Sequence, residues 1–475
     1  MEYEAVIGLE VHAQLSTQTK IFCSCSTDFG SEPNSQTCPV CLGLPGVLPV
    51  LNKKALNYAI KTGLALNSRI APLSRFARKN YFYPDLPKNY QISQYELPIC
   101  EGGYIEIMVD NEIKRINLTR IHLEEDAGKN IHEGKIPYSL VDLNRTGVPL
   151  MEIVSEPDIR TSKEASEYMK KLRTILRYID VCDGNMEQGS LRCDANVSVR
   201  PLGQKEFGVK VELKNMNSFK YVEKALEYEI KRQISILKEG GRILQETRLF
   251  DSDLGTTHSM RSKEQAHDYR YFPDPDLVPI IIDEGLLNEI RATLPELPDI
   301  KRQRFVRDFG LTDYDAEFLS SERALSEWFE EAVKAGGQPK ACANWIMGDL
   351  TKLLKDDGKS IDECPIKPHQ LASMITLIDK GVISGKIAKS IFQDIYKTGK
   401  DADLIVKEKG LVQITDTSEI EKIINEIMST HTKEVERYRQ GETKLLSFFA
   451  GQVMKATKGK ANPQLLNDLL KAKLG

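Results

Sequence analysis

Val6-Ile7-Gly8-Leu9-Glu10-Val11-His12-Ala13-Gln14-Leu15 alternates without a break. On an extended chain Leu9, Val11, Ala13 and Leu15 fall on one side, and Glu10, His12 and Gln14 on the other. The pattern recurs at Leu191 to Arg200, where Arg192, Asp194, Asn196, Ser198 and Arg200 share the polar side, and at Val209 to Lys214, with Lys210, Glu212 and Lys214. A turn containing Gly203 separates the last two stretches, so they are expected to form a hairpin. A solvated sheet face is the ordinary origin of such alternation. These faces, however, combine carboxylates, a histidine, amides and arginines. That inventory suits a site holding a divalent cation beside a phosphate, because Mg²⁺ wants oxygen donors and phosphate wants Arg or Lys.

Outward from these strands, two helices are expected. One runs near Lys163 to Ile179, with Thr161 and Glu164 as a capping box, and the other from about Ser218 to Leu237. Pro273, Pro275, Pro279, Pro295 and Pro298 then break regular structure and suit a domain boundary. Beyond them strand patterns vanish and helical ones take over, as at Glu322 to Ala335 and Pro368 to Asp379. The fold expected is α+β: a mainly antiparallel-sheet domain over residues 1–292, followed by an all-α segment at 293–404 and a helical tail at 405–475. A chain of 475 residues is long enough for two to four domains. It has no apolar run of membrane-spanning length and no secretory leader pattern at its start, so a cytoplasmic protein is expected.

Nine cysteines are present, four of them between Cys23 and Cys41. Cys23-Ser24-Cys25 and Cys38-Pro39-Val40-Cys41 can close a tetrahedral thiolate shell, so an insertion at about 20–45 is expected to hold a structural Zn²⁺. Four thiolates leave no open position for a catalytic water. A redox pair or catalytic thiol is the alternative.

The net charge of −4 argues against a protein that coats nucleic acid. From Arg437 to Gly475, however, two Arg and six Lys face only Glu442 and Asp468, which points to a localised contact with a polyanion. Glu124, Glu125 and Asp126 lie in a row beside His122, and in a regular strand at least one of the adjacent acids must point away from a site on the other's face. Arg78 to Gln94 and Asp268 to Asp276 mix tyrosines with charged residues around prolines. Each reads as a packed irregular loop or as a site loop for an anionic substrate. Neither a P-loop nor a dinucleotide glycine motif occurs, so any ATP site is of another kind.

At this point several motifs converge on one family. Val141-Asp142-Leu143-Asn144-Arg145-Thr146-Gly147-Val148-Pro149-Leu150-Met151-Glu152 resembles the signature of the B subunits of bacterial Asp/Glu-tRNA amidotransferases. Ile7 to His12, Cys38 to Gly43, Tyr269 to Asp276 and Phe448 to Lys455 resemble the same family, in its order and over essentially the whole chain. The resemblance implies a cradle-shaped catalytic domain, a helical domain and a tail domain. It also implies an amidase-type A subunit that releases ammonia from glutamine and a small C subunit. ATP would phosphorylate the side-chain carboxylate of Glu-tRNA(Gln) or Asp-tRNA(Asn), and channelled ammonia would then amidate it. The chain would thus be part of a carbon–nitrogen ligase with glutamine as amide donor.

On that reading the metal and catalytic pool is Glu10, His12, Glu124, Glu125, Glu152, Asp194 and Glu212, with Glu10, His12 and Glu125 expected on Mg²⁺. Lys79, Lys88, Arg145 and Arg192 are candidates for phosphate or substrate carboxylate, although Arg145 can simply brace its turn. Glu125 can alternatively sit where ammonia arrives. Lys444, Lys455, Lys458 and Lys460 are the tRNA candidates. Two other classes compete. A non-catalytic tRNA-binding scaffold predicts no ATP turnover, and a stand-alone small-molecule ligase predicts activity without tRNA or partners.

Overall fold

The computed structural model describes residues 2–131, 138–260, 269–411, 417–457, 461 and 463–475. The chain divides into two compact units, Met1–Leu297 and Pro298–Gly475. The first is α+β and the second is helical.

The alternating stretches become the centre of the first unit. Strand β1 (Tyr3–Gln14) lies between β3 (Pro149–Ser155) and β4 (Leu191–Pro201), antiparallel to both. Outside β3 comes β2 (Glu112–Glu125), and outside β4 comes β5 (Val211–Lys214), again antiparallel. The expected hairpin is therefore β4–β5. One pairing on the path is parallel, between β5 and Thr247–Asp251. Among the described residues the sheet has ten strands.

One face of this sheet is dry. Leu9, Val11, Ala13, Ile121, Leu123, Met151, Ile153, Ala195 and Val197 have no exposed surface. Among the helices that cover it are α1 (Ser162–Tyr178) and α2 (Phe219–Lys238), which bury Ala165, Tyr168, Met169, Leu172, Leu176, Val222, Ala225 and Leu226. Each large side chain so buried is worth about 1.5–3 kcal/mol, so a one-residue slip that turned the apolar set outward would be prohibitive. The core therefore fixes the register, and the register fixes which polar residues meet on the other face. At the start of α1, Thr161 Oγ1 accepts from Glu164 N (3.1 Å), whereas the Glu164 carboxylate reaches back to Arg160 N (2.7 Å). The cap is thus one residue longer than the reciprocal box expected.

Arg78 to Gln94 holds a hairpin of Ala77–Asn80 with Tyr90–Ser93, and Phe272–Pro273 adds a third strand to it. Arg78 locks the junction through Asp274 and Asp276, 2.8 Å from each. This part of the two expected loops is ordered sheet; Asp268 lies outside the described residues.

Among its described residues the second unit has two apolar clusters. One runs from Phe305 to Val406 and includes Trp328, Phe329 and Phe392; the other is built from Ile420, Ile424, Phe449, Val453, Leu466 and Leu470. No helix among the described residues is long and apolar enough to cross a membrane.

Candidate active site and metal centre

Directly opposed residues on neighbouring strands share a face. His12 of β1 lies opposite Glu152 of β3, and Glu152 opposite His122 of β2. Glu124 follows two residues after His122 and so joins them. His12 Nε2 is 3.6 Å from Glu152 and 3.8 Å from Glu124; His122 Nε2 is 3.4 Å and 3.8 Å from the same two carboxylates. Donor atoms of His12, Glu124 and Glu152 all fall within 4.8 Å of one another, close enough to hold one metal ion. Ser93 Oγ (3.3 Å) supports Glu124 from the adjoining hairpin.

The electrostatics follow from the crowding. Burial alone would depress His12, but the hydrogen bond to Glu152 and the charges of Glu124, Glu152 and Asp194 outweigh it and hold its pKa above the ordinary value. Burial would raise Glu152, but His122, His12 and Lys79 together drive it well below the usual carboxylate range. Glu10, two residues along β1, is raised by burial and by the charges of Glu152, Asp194 and Glu212, against the opposing effect of His12.

The row continues onto β4 and β5. Glu10 faces Asp194 across the strands and accepts from Asn196 Nδ2 (2.9 Å). Lys214 Nζ bridges Asp194 (2.6 Å) and Glu212 (3.0 Å). Arg192 Nη2 and Gln14 Nε2 both reach Asp126 at 2.8 Å. Arg145 braces the same corner through Ala127 O (2.9 Å) and Gly128 O (2.6 Å). Lys79 Nζ lies 4.7 Å from the Tyr269 ring centre.

Alternation along β2 sends Glu125 to the opposite side from Glu124. There it is buried, ion-paired with Lys88, and accepts from Ile92 N (2.9 Å). This pair lines a pocket of about 190 Å³ shared with Lys20, Cys41, Gly147 and Asp276. Beside it stand Cys23, Cys25, Cys38 and Cys41, whose sulfurs also lie within 4.8 Å of one another. Fully buried Lys20 puts Nζ 3.6 Å from Cys41 Sγ and 2.7 Å from Gln36 O. The sequence run ending at Glu152 clamps this cluster. Asp142 Oδ1 accepts from Asn34 N (3.0 Å), and Asn144 Oδ1 accepts from Gln36 N (2.8 Å) while its amide donates to Glu32 O (2.7 Å). Gly147 then takes φ = +81°, a left-handed turn that favours glycine, before the chain enters β3.

The structure thus brings His12 and Glu152 together with Glu124, and sets Glu10, Asp194 and Glu212 beside them. Glu125 is not brought to this group: it stands on the other side of its strand with Lys88. Arg145 and Arg192 converge on Asp126, and Arg145 takes the bracing position. Lys444 and Lys455 are exposed at the two ends of helix Leu445–Ala456. Lys458 and Lys460 lie outside the described residues. Three participants were not among the site candidates read from the sequence, although His122 and Lys214 stand in stretches that it marked. His122 was readable from its two-residue spacing to Glu124, and Lys214 from the same spacing to Glu212. Nothing in the sequence marks Lys20.

Comparison with known proteins adds an independent finding. Residues 5–288 match the family model described as the GatB/GatE catalytic domain, and residues 327–474 match the GatB domain model. The B subunit of the aspartyl/glutamyl-tRNA(Asn/Gln) amidotransferase of Thermodesulfovibrio yellowstonii is 67% identical over 470 residues, covering 99% of each chain. The proteins of the same name from Carboxydothermus hydrogenoformans (62%, covering 100% of this chain and 99% of that one) and Geobacter sulfurreducens (59%, 100% of both) are similar throughout.

Proposed function

Because the chain belongs to the GatB/GatE family of tRNA-dependent amidotransferase B subunits, we propose that its first unit activates the side-chain carboxylate of Glu-tRNA(Gln) or Asp-tRNA(Asn) with ATP and passes it to ammonia. A carboxylate oxygen attacks the γ-phosphorus, the bond to the β–γ bridging oxygen breaks, and ADP leaves. Ammonia then attacks the acyl carbon, phosphate leaves with the electron pair, and the nitrogen sheds a proton. The observation that carries this reading is the group His12, Glu124 and Glu152 on a face flanked by Lys79, Lys214 and Arg192.

The donor set fits a divalent cation: two carboxylates supply the oxygens that Mg²⁺ prefers, and His12 adds a nitrogen. Bound there, such an ion would neutralise phosphate charge as it builds up during transfer. The protein's own groups do the rest. His122 Nε2 sits 3.4 Å from Glu152 and 3.8 Å from Glu124, packed beside both carboxylates. Lys214 keeps Asp194 and Glu212 paired, so that the face does not repel an anion. Lys79 brings positive charge to the rim over Tyr269. The four cysteines fit a closed tetrahedral Zn²⁺ site that supplies folding energy rather than chemistry.

The missing ammonia source belongs to an amidase-type A subunit, with a small C subunit completing a cytoplasmic complex. The helical region at 293–404 and the tail at 405–475, with Lys444 and Lys455, hold the tRNA. The test is tRNA-dependent ATP hydrolysis by the reconstituted complex, with free ammonia replacing glutamine. Wild type is expected to form Gln-tRNA or Asn-tRNA, and Glu152→Gln is not. A wild-type complex that binds tRNA yet never consumes ATP would replace this reading with the non-catalytic scaffold.

A further inference from the structure

The cysteine group and the Lys88–Glu125 pair meet at two glycines. Cys38 precedes a short helical turn, Pro39–Leu42, that carries Cys41 and ends at Gly43 with φ = +68°. The stem of Lys88 lies across that glycine. A Cβ at Gly43 would overlap Lys88 Cγ outright and stand 3.0 Å from its Cδ and 3.2 Å from its Cβ. Such close approach of one segment to another is where glycine serves. The second is Gly147. A Cβ there would lie 3.6 Å from Cys41 Cβ, 3.7 Å from Lys20 Cδ and 3.9 Å from Glu125 Oε2, and its carbonyl accepts from Ile21 N (2.9 Å). One cysteine, the lysine that donates to it and the buried carboxylate thus converge on a single residue.

The cysteine segment has little else to hold its shape. Among the described residues from Cys23 to Cys41, Cys41 alone is buried. A segment without an apolar core of its own takes its folding energy from the ion its donors bind. The pair beneath it is of the opposite kind, since the side chains of Lys88 and Glu125 are only 7% and 2% exposed. Backbone from the hairpin secures Glu125 through Ile92 N, whereas the stem of Lys88 rests on the cysteine loop.

We propose that the ion held by the four cysteines keeps the Lys88–Glu125 pair closed. With the ion bound, the loop seats Gly43 against Lys88. With the ion removed, the loop opens locally and Lys88 leaves Glu125 for solvent. Gly43 and Lys88 are positioning residues in this arrangement, and the ion acts beyond its own segment. The inference rests on the reading of the four cysteines as a metal site and does not depend on the activation chemistry.

The experiment begins with metal analysis of the purified full-length chain, and absence of a bound ion refutes both the metal reading and the proposal. The loaded chain and the chain stripped by a thiol-directed chelator are then pulsed with an acylating reagent well below the unfolding temperature. Mass spectrometry reads lysine modification, and amide hydrogen exchange follows β1 and β3. Modification of Lys88 is expected to rise at least about tenfold on stripping while β1 and β3 stay protected. If Lys20, within the loop, becomes reactive and Lys88 does not, the proposal fails and the metal reading stands. Loss of protection in β1 and β3 together with Lys88 also overturns it, because release then follows from unfolding of the unit. Coupling is reciprocal, so the pair must in turn hold the ion. Lys88→Ala combined with Glu125→Gln removes the stem without stranding a charge. Metal affinity of this double variant, measured by competition with a chromogenic chelator, is expected to fall at least about fivefold, and an affinity equal to wild type refutes the proposal.

Discussion

Among the described residues, two groups of metal-capable side chains sit in the first unit, and they are assembled in opposite ways. Cys23, Cys25, Cys38 and Cys41 come from one short segment, tied down by Asp142 and Asn144. His12, Glu124 and Glu152 come from three strands spread between residues 12 and 152, and meet only because β1, β3 and β2 adopt one register. The first group organises its own loop, so losing one donor removes the stability that the whole group supplies. The second is organised by a core on the far side of the sheet, so its donors can be changed one at a time without unfolding the scaffold that holds them. Closure against openness divides them again: four sulfurs would saturate a tetrahedral ion, whereas one imidazole and two carboxylates would leave coordination positions open.

The largest expected effect tests the sheet-built group. Glu152→Gln should cut kcat of ammonia-dependent amidation by about 10³-fold with its unfolding temperature within a few degrees of wild type. A folded, fully active variant would remove this group from the chemistry. Next comes the loop-built group. Stripping metal with a thiol-directed chelator, or Cys38→Ser, should lower Tm by more than about 5 °C, with activity lost in step with structure. Metal analysis showing no bound ion in the wild-type protein would break the comparison at its root.

The contrast sharpens between adjacent acids. Glu124→Gln should weaken divalent-cation affinity at least about tenfold, whereas Glu125→Gln, on the other side of the strand, should change it by less than about threefold. Calorimetric titration of both variants decides it, and the reverse order would mean that Glu125 leaves Lys88 to reach the cation. Lys88→Met, by contrast, strands a buried carboxylate and should cost about 3 kcal/mol of stability in denaturant unfolding.

The smallest effect concerns the corner beside the site. Burial would raise Asp126, but Arg192, Arg145 and Gln14 outweigh it and hold its pKa below the ordinary value. Its contribution is therefore complete above the unfolded-state pKa of about 3.9 and disappears as pH falls through the lower folded value. Asp126→Asn should cost about 1–2 kcal/mol at pH 7, with the gap to wild type closing in strong acid. A gap that persists at low pH would point to packing rather than charge.

Much of this was readable along the chain. The two-residue period at Val6 to Leu15 and Leu191 to Arg200 marks paired strands with a dry and a polar side, because burying the apolar set is worth several kcal/mol. The cysteine spacing announces a cluster able to hold a metal ion because all four donors are local. Spacing could not say whether Glu124 or Glu125 joins His12. The parity of β2 relative to β1 depends on which strand intervenes, and that strand, Pro149–Ser155, was visible only as part of a motif. The motif itself combines three tasks that no linear reading separates: clamping the cysteine loop, turning at Gly147, and delivering Glu152.

By itself, then, the sequence determined the α+β class, the apolar faces and the local cysteine cluster, all of which depend on periodicity or on neighbours within a short segment. Only the tertiary structure decided that His12, His122, Glu124 and Glu152 share one site, that Glu125 pairs with Lys88 instead, and that Arg145 and Arg192 meet on Asp126. Apart from His122 and Glu124, those contacts link residues from 19 to 140 positions apart. Their partners are selected by strand order and register, which the packing of the opposite face sets.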